Sequence, residues 1–476
     1  MKRLESVAAH LGRSFLGNEP IEAKIGVWDV EDRASAGKRA AAKALAEAER
    51  SFHKALEWEA GNPDARRGLA DIYYDQFRDA EAARNEDDLD YYRELVESYH
   101  DGRYARELQG DGTLTVTTDP PGAQVFVYRY EVKQRRTIPV PWKSEAGAAA
   151  RETVPAAAGL HLRPNAKDKT AHAGTAPLAG VPIPMGSYLL ILRLPKYRDV
   201  RVPVRIARNQ DADVRVRLYT EQEIGRGFVY VPGGEYVAGG DARVESSWER
   251  HVRNVPDFFV GRFPVTCREY LQFLNDLGSR EPEEARRHAP KPPEGKELWL
   301  ERAQGKWSLP TEKTPDVAWA WAPDLPVVFI SWDDAVAYCA WRSKREGRRV
   351  RLPREEEREK ACRGVDERWF PWGNHFDATW CNMVDSRPAG TAMLEAVGSH
   401  DVDESPYGAR DLAGNVFDWC SDVFQDGKAW RALRGGAFEA GKLWSRSAAR
   451  VGFLPTMRFS AAGLRVVCDP PASPGR

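Results

Sequence analysis

Tyr407-Gly408-Ala409-Arg410-Asp411-Leu412-Ala413-Gly414-Asn415-Val416-Phe417-Asp418-Trp419 opens the stretch whose reading decides the fold. It runs on through Arg434-Gly435-Gly436-Ala437-Phe438 and Arg446-Ser447-Ala448-Ala449-Arg450, and closes with Gly463-Leu464-Arg465-Val466-Val467-Cys468. These are short pieces punctuated by glycine, with aromatic and aliphatic residues between turns. A Gly-Gly pair followed by a small and an aromatic residue suits a tight backbone approach inside a compact core. Few of the pieces alternate cleanly, so periodicity alone does not give the fold.

Composition bounds the rest. At 476 residues with 42% hydrophobic side chains, the chain can bury several cores. Most of its 16 tryptophans lie after residue 225, as a loop-rich domain that needs large side chains to fill its interior would place them. The net charge of −1 gives no footprint for nucleic acid or an anionic membrane. The six cysteines are Cys267, Cys339, Cys362, Cys381, Cys420 and Cys468, with no zinc-motif spacing among them. Buried reduced thiols are expected rather than a disulfide framework. Residues 1–22 hold no continuous apolar run, and no stretch approaches the ~20 apolar residues of a spanning helix. A cytoplasmic chain is therefore expected.

Three compositions follow one another, predicting a multidomain α+β chain. Residues 1–108 read as helical. Ala48, Phe52, Ala55 and Leu56 form one apolar stripe, and Leu69, Ile72, Tyr73 and Phe77 the next. Asn62 is the expected N-cap, with Pro63 at the first helical position. A third helix ends at Tyr99, with Leu89, Tyr92, Leu95, Val96 and Tyr99 inward. From residue 109 to 222 the period becomes two: Thr113–Thr118 and Gln124–Tyr130 alternate around the turn Asp119-Pro120-Pro121-Gly122-Ala123. An Ala-, Lys- and Pro-rich stretch at about 139–173 reads as an inserted loop. The third domain spans 223–469, leaving 470–476 as a tail. Within it, 280–314 is charged and Pro-containing and reads as an insertion over the surface. The acidic run Glu355-Glu356-Glu357 reads as a solvated helix start.

Resemblance adds to this reading. The opening stretch resembles the formylglycine-generating-enzyme, or sulfatase-modifying-factor, family. So do Phe228-Val229-Tyr230-Val231-Pro232-Gly233-Gly234-Glu235-Tyr236, Leu325–Ala335, Arg351-Leu352-Pro353 and Phe370-Pro371-Trp372-Gly373-Asn374. The resemblance implies a variant of the C-type lectin fold for the third domain. Residues 46–74 resemble a tetratricopeptide repeat, read as a helical spacer or, alternatively, part of a peptide-binding groove. The middle domain resembles a PEGA β-sandwich, with Pro120-Pro121-Gly122-Ala123 at the motif that names it. The order of the three is similar to the region following the catalytic domain of some bacterial serine/threonine kinases, although no kinase motif is present.

The family's enzymes hold copper(I) between two cysteines soon after the Gly-Gly pair, because soft thiolates suit that metal. Gly435 to Arg450 contains no cysteine. A related branch binds iron through histidines on added helices, and here only His10, His53 and His100 are available there. Neither copper nor iron is expected. The resemblance does imply a structural calcium, held by Asp411, Gly414, Val416 and Asp418, with Asp418 where the family usually has glutamate. The alternative is that Asp411 and Asp418 cap turns. The expected function is a non-catalytic recognition or scaffold protein in bacterial signalling or defence, a pseudoenzyme binding a protein or peptide through Trp444, Phe453, Leu454 and Met457. These four flank a Gly452/Pro455 turn, whereas Phe438, Arg446 and Arg450 read as internal. The alternatives are a metal-dependent oxidoreductase of the same superfamily and a variable protein of a diversity-generating retroelement.

Overall fold

A computed structural model describes residues 21–83, 85–142, 171–292, 295–302, 305–311, 317, 319–425 and 427–471. The chain divides between Gly110 and Asp111 into two compact units. The first holds α1 (Ile21–Trp58), α2 (Pro63–Ala83), α3 (Glu86–Tyr99) and the short α4 (Ala105–Gln109). Asn62 caps α2 as expected, its side-chain oxygen accepting from the Ala65 amide at 2.9 Å. Leu69, Tyr73, Phe77 and Val96 are buried, with Phe52, Leu56, Leu89, Tyr92, Leu95 and Tyr99 packed against them. The predicted helical stripes therefore form one core.

The second unit begins with β1 (Gly112–Asp119), β2 (Gln124–Lys133), β3 (Arg136–Pro141), β4 (His172–Thr175), β5 (Leu178–Ile183), β6 (Gly186–Arg193), β7 (Val200–Ile206) and β8 (Asp211–Arg217). One sheet runs β5-β1-β8; the other runs β3-β2-β6-β7, with β4 also on β2. Leu114 and Val116 of the first share a core with Val125, Val127, Leu190 and Val202 of the second. The stretch read as an insertion at 139–173 is strand at both its ends, in β3 and β4; residues 143–170 lie outside the described residues.

After the short α5 (Glu221–Ile224) come β9 (Phe228–Val231), β10 (Gly234–Ala238), β11 (His251–Val255), β12 (Phe258–Gly261), α6 (Cys267–Gly278) and α7 (Pro282–His288). Then follow β13 (Leu300–Arg302), β14 (Lys306–Ser308), α8 (Trp332–Glu346), β15 (Val350–Arg351), α9 (Glu355–Arg363), β16 (Phe417–Val423), β17 (Arg431–Arg434), β18 (Arg450–Phe453), β19 (Ala462–Gly463) and β20 (Val467–Cys468). Two four-stranded sheets, β15-β20-β12-β9 and β18-β17-β16-β19, carry long ordered loops between them. The C-terminal domain and the β-domain form one unit because ion pairs and a backbone bond join them. Arg201 meets Glu404 at 2.7 Å, Arg205 meets Glu367, and the Thr137 amide donates to the Trp372 carbonyl. Gly373 sits at φ +130°, where an added Cβ would come within 2.2 Å of Thr137 Oγ1, so only glycine allows this approach.

Two expectations need correction. The described residues of 280–314 do not simply lie over the surface. Ala285, Ala289, Leu298, Trp299 and Trp307 from it are buried in the main core, since two tryptophans fill the space many smaller apolar residues would. Nor are Glu355 and Glu357 solvated. Both are buried and neutralised by arginine: Glu355 by the distant Arg450 and Arg434, Glu357 by Arg351 and Arg354 just before the helix. Glu359, also fully buried, accepts from Arg434, Arg363 and the Gly239 amide.

Removing one member of such a buried set strands its partners. Glu359→Ala is expected to destabilise the domain by about 3–5 kcal/mol. Glu356→Ala, which loses only a more exposed contact to Arg354, should cost under ~1 kcal/mol. Chemical denaturation midpoints of the two variants check the contrast.

Candidate functional site

The loop expected to hold calcium lies at the centre of the C-terminal domain. Asp411, Asn415 and Asp418 are all buried. Asp411 and Asn415 have positive φ, +55° and +70°, which short polar side chains tolerate. The Asp411 Oδ2 accepts from the Gly398 amide at 2.7 Å. Burial, with the Asp403 carboxylate nearby, pushes the Asp411 carboxyl up to about 7. Asp403 caps the loop, accepting from the Leu412 and Ala413 amides. Asp418 is bound differently. Its Oδ2 accepts from Arg358 Nε at 2.7 Å and from Arg465 Nε at 3.0 Å. The Gly414 carbonyl accepts from the Val416 amide. The four residues of the calcium set do not fit a divalent ion as a group, because two guanidinium groups already claim Asp418.

The segment after the Gly-Gly pair follows. Phe438 and Arg446 are internal as expected, Phe438 against Trp319 and Arg446 on Asp241 at 2.5 Å. Arg450 pairs with Glu355. The four residues singled out for a partner differ among themselves. Leu454 is 46% exposed. Phe453 and Met457 are half-buried, Phe453 lying 4.9 Å from Phe459 between ring centroids. Trp444 is turned partly inward, edge-on to Phe417. The turn runs from Leu454 to Met457; Gly452 belongs to β18, where an added Cβ would strike the Phe424 ring.

Strand pairing adds residues the sequence reading missed. Arg431 stands opposite both Val423 and Phe453, which places the three on one sheet face. The Arg431 guanidinium lies 4.1 Å from the Trp332 ring centroid. Trp332 is fastened there, its amide donating to the Pro455 carbonyl and its indole to the Cys420 carbonyl. One helical turn on, Val336 is exposed. From Trp332 and Val336 a groove of about 520 Å³ runs between α8 and β15, past Val350 and Leu352 to Arg349 and Arg354. The signal was Trp332 with Val336 four residues later, an apolar pair on a helix face; its neighbours came from pairing across the sheet.

The thiols are passive. All six cysteines are buried and free. Burial pushes every thiol upward, Cys339 to about 12, the opposite of what a metal-binding or nucleophilic thiolate needs. Of the histidines on the helices, His53 contacts Tyr73 and Tyr99, and His100 accepts from the Gly102 amide; His10 lies outside the described residues.

Residues 217–470, more than half of the chain, match the sulfatase-modifying factor enzyme 1-like domain family. The chain belongs to this family. Among its relatives is the inactive C-alpha-formylglycine-generating enzyme 2 of Bos taurus, 31% identical over 247 residues that cover 45% of this chain and 79% of the relative. The formylglycine-generating enzyme of Thermomonospora curvata is 29% identical over 315 residues, covering 54% and 98%. The serine/threonine-protein kinase pkn1 of Chlamydia caviae is 28% identical over 229 residues, covering 47% and 32%. Among the described residues no helix is long and apolar enough to cross a membrane.

This family member has a second groove, of about 670 Å³, between the β-domain and the C-terminal domain, with Arg205, Asp257 and Lys360 in its lining. Lys360 is itself buried and donates to the Pro232 and Gly234 carbonyls, so it ties α9 to that turn rather than serving a ligand. Burial lowers it from 10.5 to about 8. Between those values the unfolded chain holds a proton that the folded chain has released, so stability rises with pH across the window. Relative to Lys360→Met, the wild type is therefore expected to gain stability from about pH 8 to about pH 10. Urea midpoints of the pair across that range read the gain; parallel curves would remove the assignment.

Proposed function

We propose that this chain is a non-catalytic recognition protein that uses a sulfatase-modifying-factor fold to hold a protein or peptide partner. The observation that carries the reading is the vacancy between Gly435 and Arg450, which offers no cysteine for a copper site. The six cysteines elsewhere are all buried. A bovine relative described as inactive shows that family membership and the enzyme's activity can part. The alternative, a metal-dependent oxidoreductase, needs two soft ligands brought together from outside Gly435 to Arg450.

The partner surface proposed is the continuous face of Trp332, Arg431, Phe453 and Leu454, extended by the α8–β15 groove. Aromatic and arginine side chains are the ones that dominate interface energies, and here they adjoin a groove whose far end holds Arg349 and Arg354 paired with Asp469, Glu356 and Glu357. A partner presenting apolar side chains fits that chemistry. Trp444 is left out of the surface, because its ring packs toward Phe417.

Copper loading followed by metal analysis and an oxygen-consumption assay with a cysteine-containing peptide tests the absence of catalysis. No stoichiometric copper and no turnover are expected; stoichiometric copper with turnover would overturn the reading. Against a partner captured from the native host, Phe453→Ala and Arg431→Glu are each expected to weaken binding by about 2 kcal/mol or more, with unchanged melting temperatures. Full affinity in both folded variants would move the binding surface elsewhere.

A further inference from the structure

The Asp411–Asp418 loop buries Asp411 and Asp418 beside Asp403, and a buried carboxylate such as Asp418 needs a positive partner. In the family a calcium ion is expected to supply that charge. Calcium needs six to eight oxygen ligands around one point. Here Asp418 Oδ2, Asp411 Oδ2 and the carbonyls of Arg410, Asp411 and Leu412 face other donors. Arg358 gives Nε to Asp418 and Nη2 to the Leu412 carbonyl, at 2.7 and 2.9 Å. Arg465 gives Nε to Asp418, and Nη2 to the carbonyls of Arg410 and Asp411, at 2.8 Å each. Its Nη1 reaches the carbonyls of Gly261 and Arg262 as well, tying the loop to β12. Both guanidinium groups are buried, with side chains 2% and 0% exposed.

We infer that Arg358 and Arg465 together replace a structural calcium at this loop, so that the C-terminal domain holds its centre without a divalent ion. Two guanidinium charges equal that of one calcium ion. They are covalently part of the chain and already in place, whereas an added divalent ion at Asp418 would sit beside two fixed positive charges in a poorly screened interior. The only oxygen of Asp418 without a hydrogen-bond partner is Oδ1, and one oxygen does not make a calcium cage. The shorter reach of aspartate at 418 agrees with a carboxylate that meets arginine planes through its Oδ2. The consequence is a domain whose stability does not track free calcium. This inference stands apart from the recognition reading, since it concerns how the loop is held rather than what the domain binds.

The test is made first on the wild-type protein, so it does not depend on any variant folding. Thermal melts in millimolar calcium and in EGTA are expected to superimpose, and calcium analysis after desalting should find far less than one ion per chain. An occupied site at about 100 times its dissociation constant would instead separate the melts by roughly 5 °C or more. One bound calcium per chain, or a chelator-induced fall in melting temperature that disappears in Asp411→Asn, would overturn the inference. Arg358→Lys keeps a positive charge but cannot bridge Asp418 and the Leu412 carbonyl. It is expected to melt several degrees lower and to remain insensitive to calcium; a calcium-independent melting temperature equal to that of the wild type would also overturn the role given to Arg358.

Discussion

The C-terminal domain depends on one helix that is charged nearly throughout and buried nearly throughout. Glu355 to Arg363 places Glu355, Glu357, Arg358, Glu359, Lys360 and Arg363 inside the fold. Glu355 and Glu359 meet Arg450 and Arg434 from the closing strands and Arg358 meets Asp418 of β16, while Glu357 meets Arg351 of the adjoining β15 and Arg363 meets Glu359 within the helix. Buried pairs of this kind add little net stability over a well-packed apolar core, because desolvation offsets the attraction. What they impose is position. A slip of one residue in α9 would face carboxylate with carboxylate, so the helix and the strands around it can assemble in few ways.

That constraint explains the glycines of the deciding stretch. An added Cβ on Gly435, at φ +87°, would meet Arg358 Nη2 at 2.6 Å and the Leu412 carbonyl at 2.9 Å. At Gly436 it would meet the Ala413 carbonyl at 2.1 Å. The Gly-Gly pair is thus the opening through which β17 passes over the arginine and the 411–418 loop. The same closeness fastens Cys362 and Cys381 next to Ser447 and Ser445, as small buried side chains with no thiolate character. The segment that in the enzymes carries chemistry is here packed on a charged frame.

The charged frame and the exposed turn separate in space. The arginines of the frame are turned inward onto carboxylates, while Arg431 lies on Trp332 beside the exposed Leu454 turn. The helical unit adds its own core of tyrosines around Tyr73, with Glu49 and His53 as hydrogen-bond partners. Family and fold by themselves do not give a function; that depends on the side chains a member presents.

By itself the sequence determined the order of elements: helical stripes to Tyr99, alternation around Pro120-Pro121-Gly122, and the glycine-punctuated motifs that mark the C-terminal fold. It also determined the missing cysteine pair, since a residue type absent from a segment needs no coordinates. It placed Phe438, Arg446 and Arg450 inside correctly. It misjudged Glu355 and Glu357, because a run of carboxylates has the same local pattern whether water or arginine neutralises it, and the arginines lie up to 95 residues away. It took 280–314 for a surface insertion because average polarity hides two core tryptophans. Only the tertiary structure decided that Asp418 belongs to Arg358 and Arg465, and that Trp332, Arg431 and Phe453 share a face. Both follow from pairing between segments distant in sequence, which no local periodicity encodes.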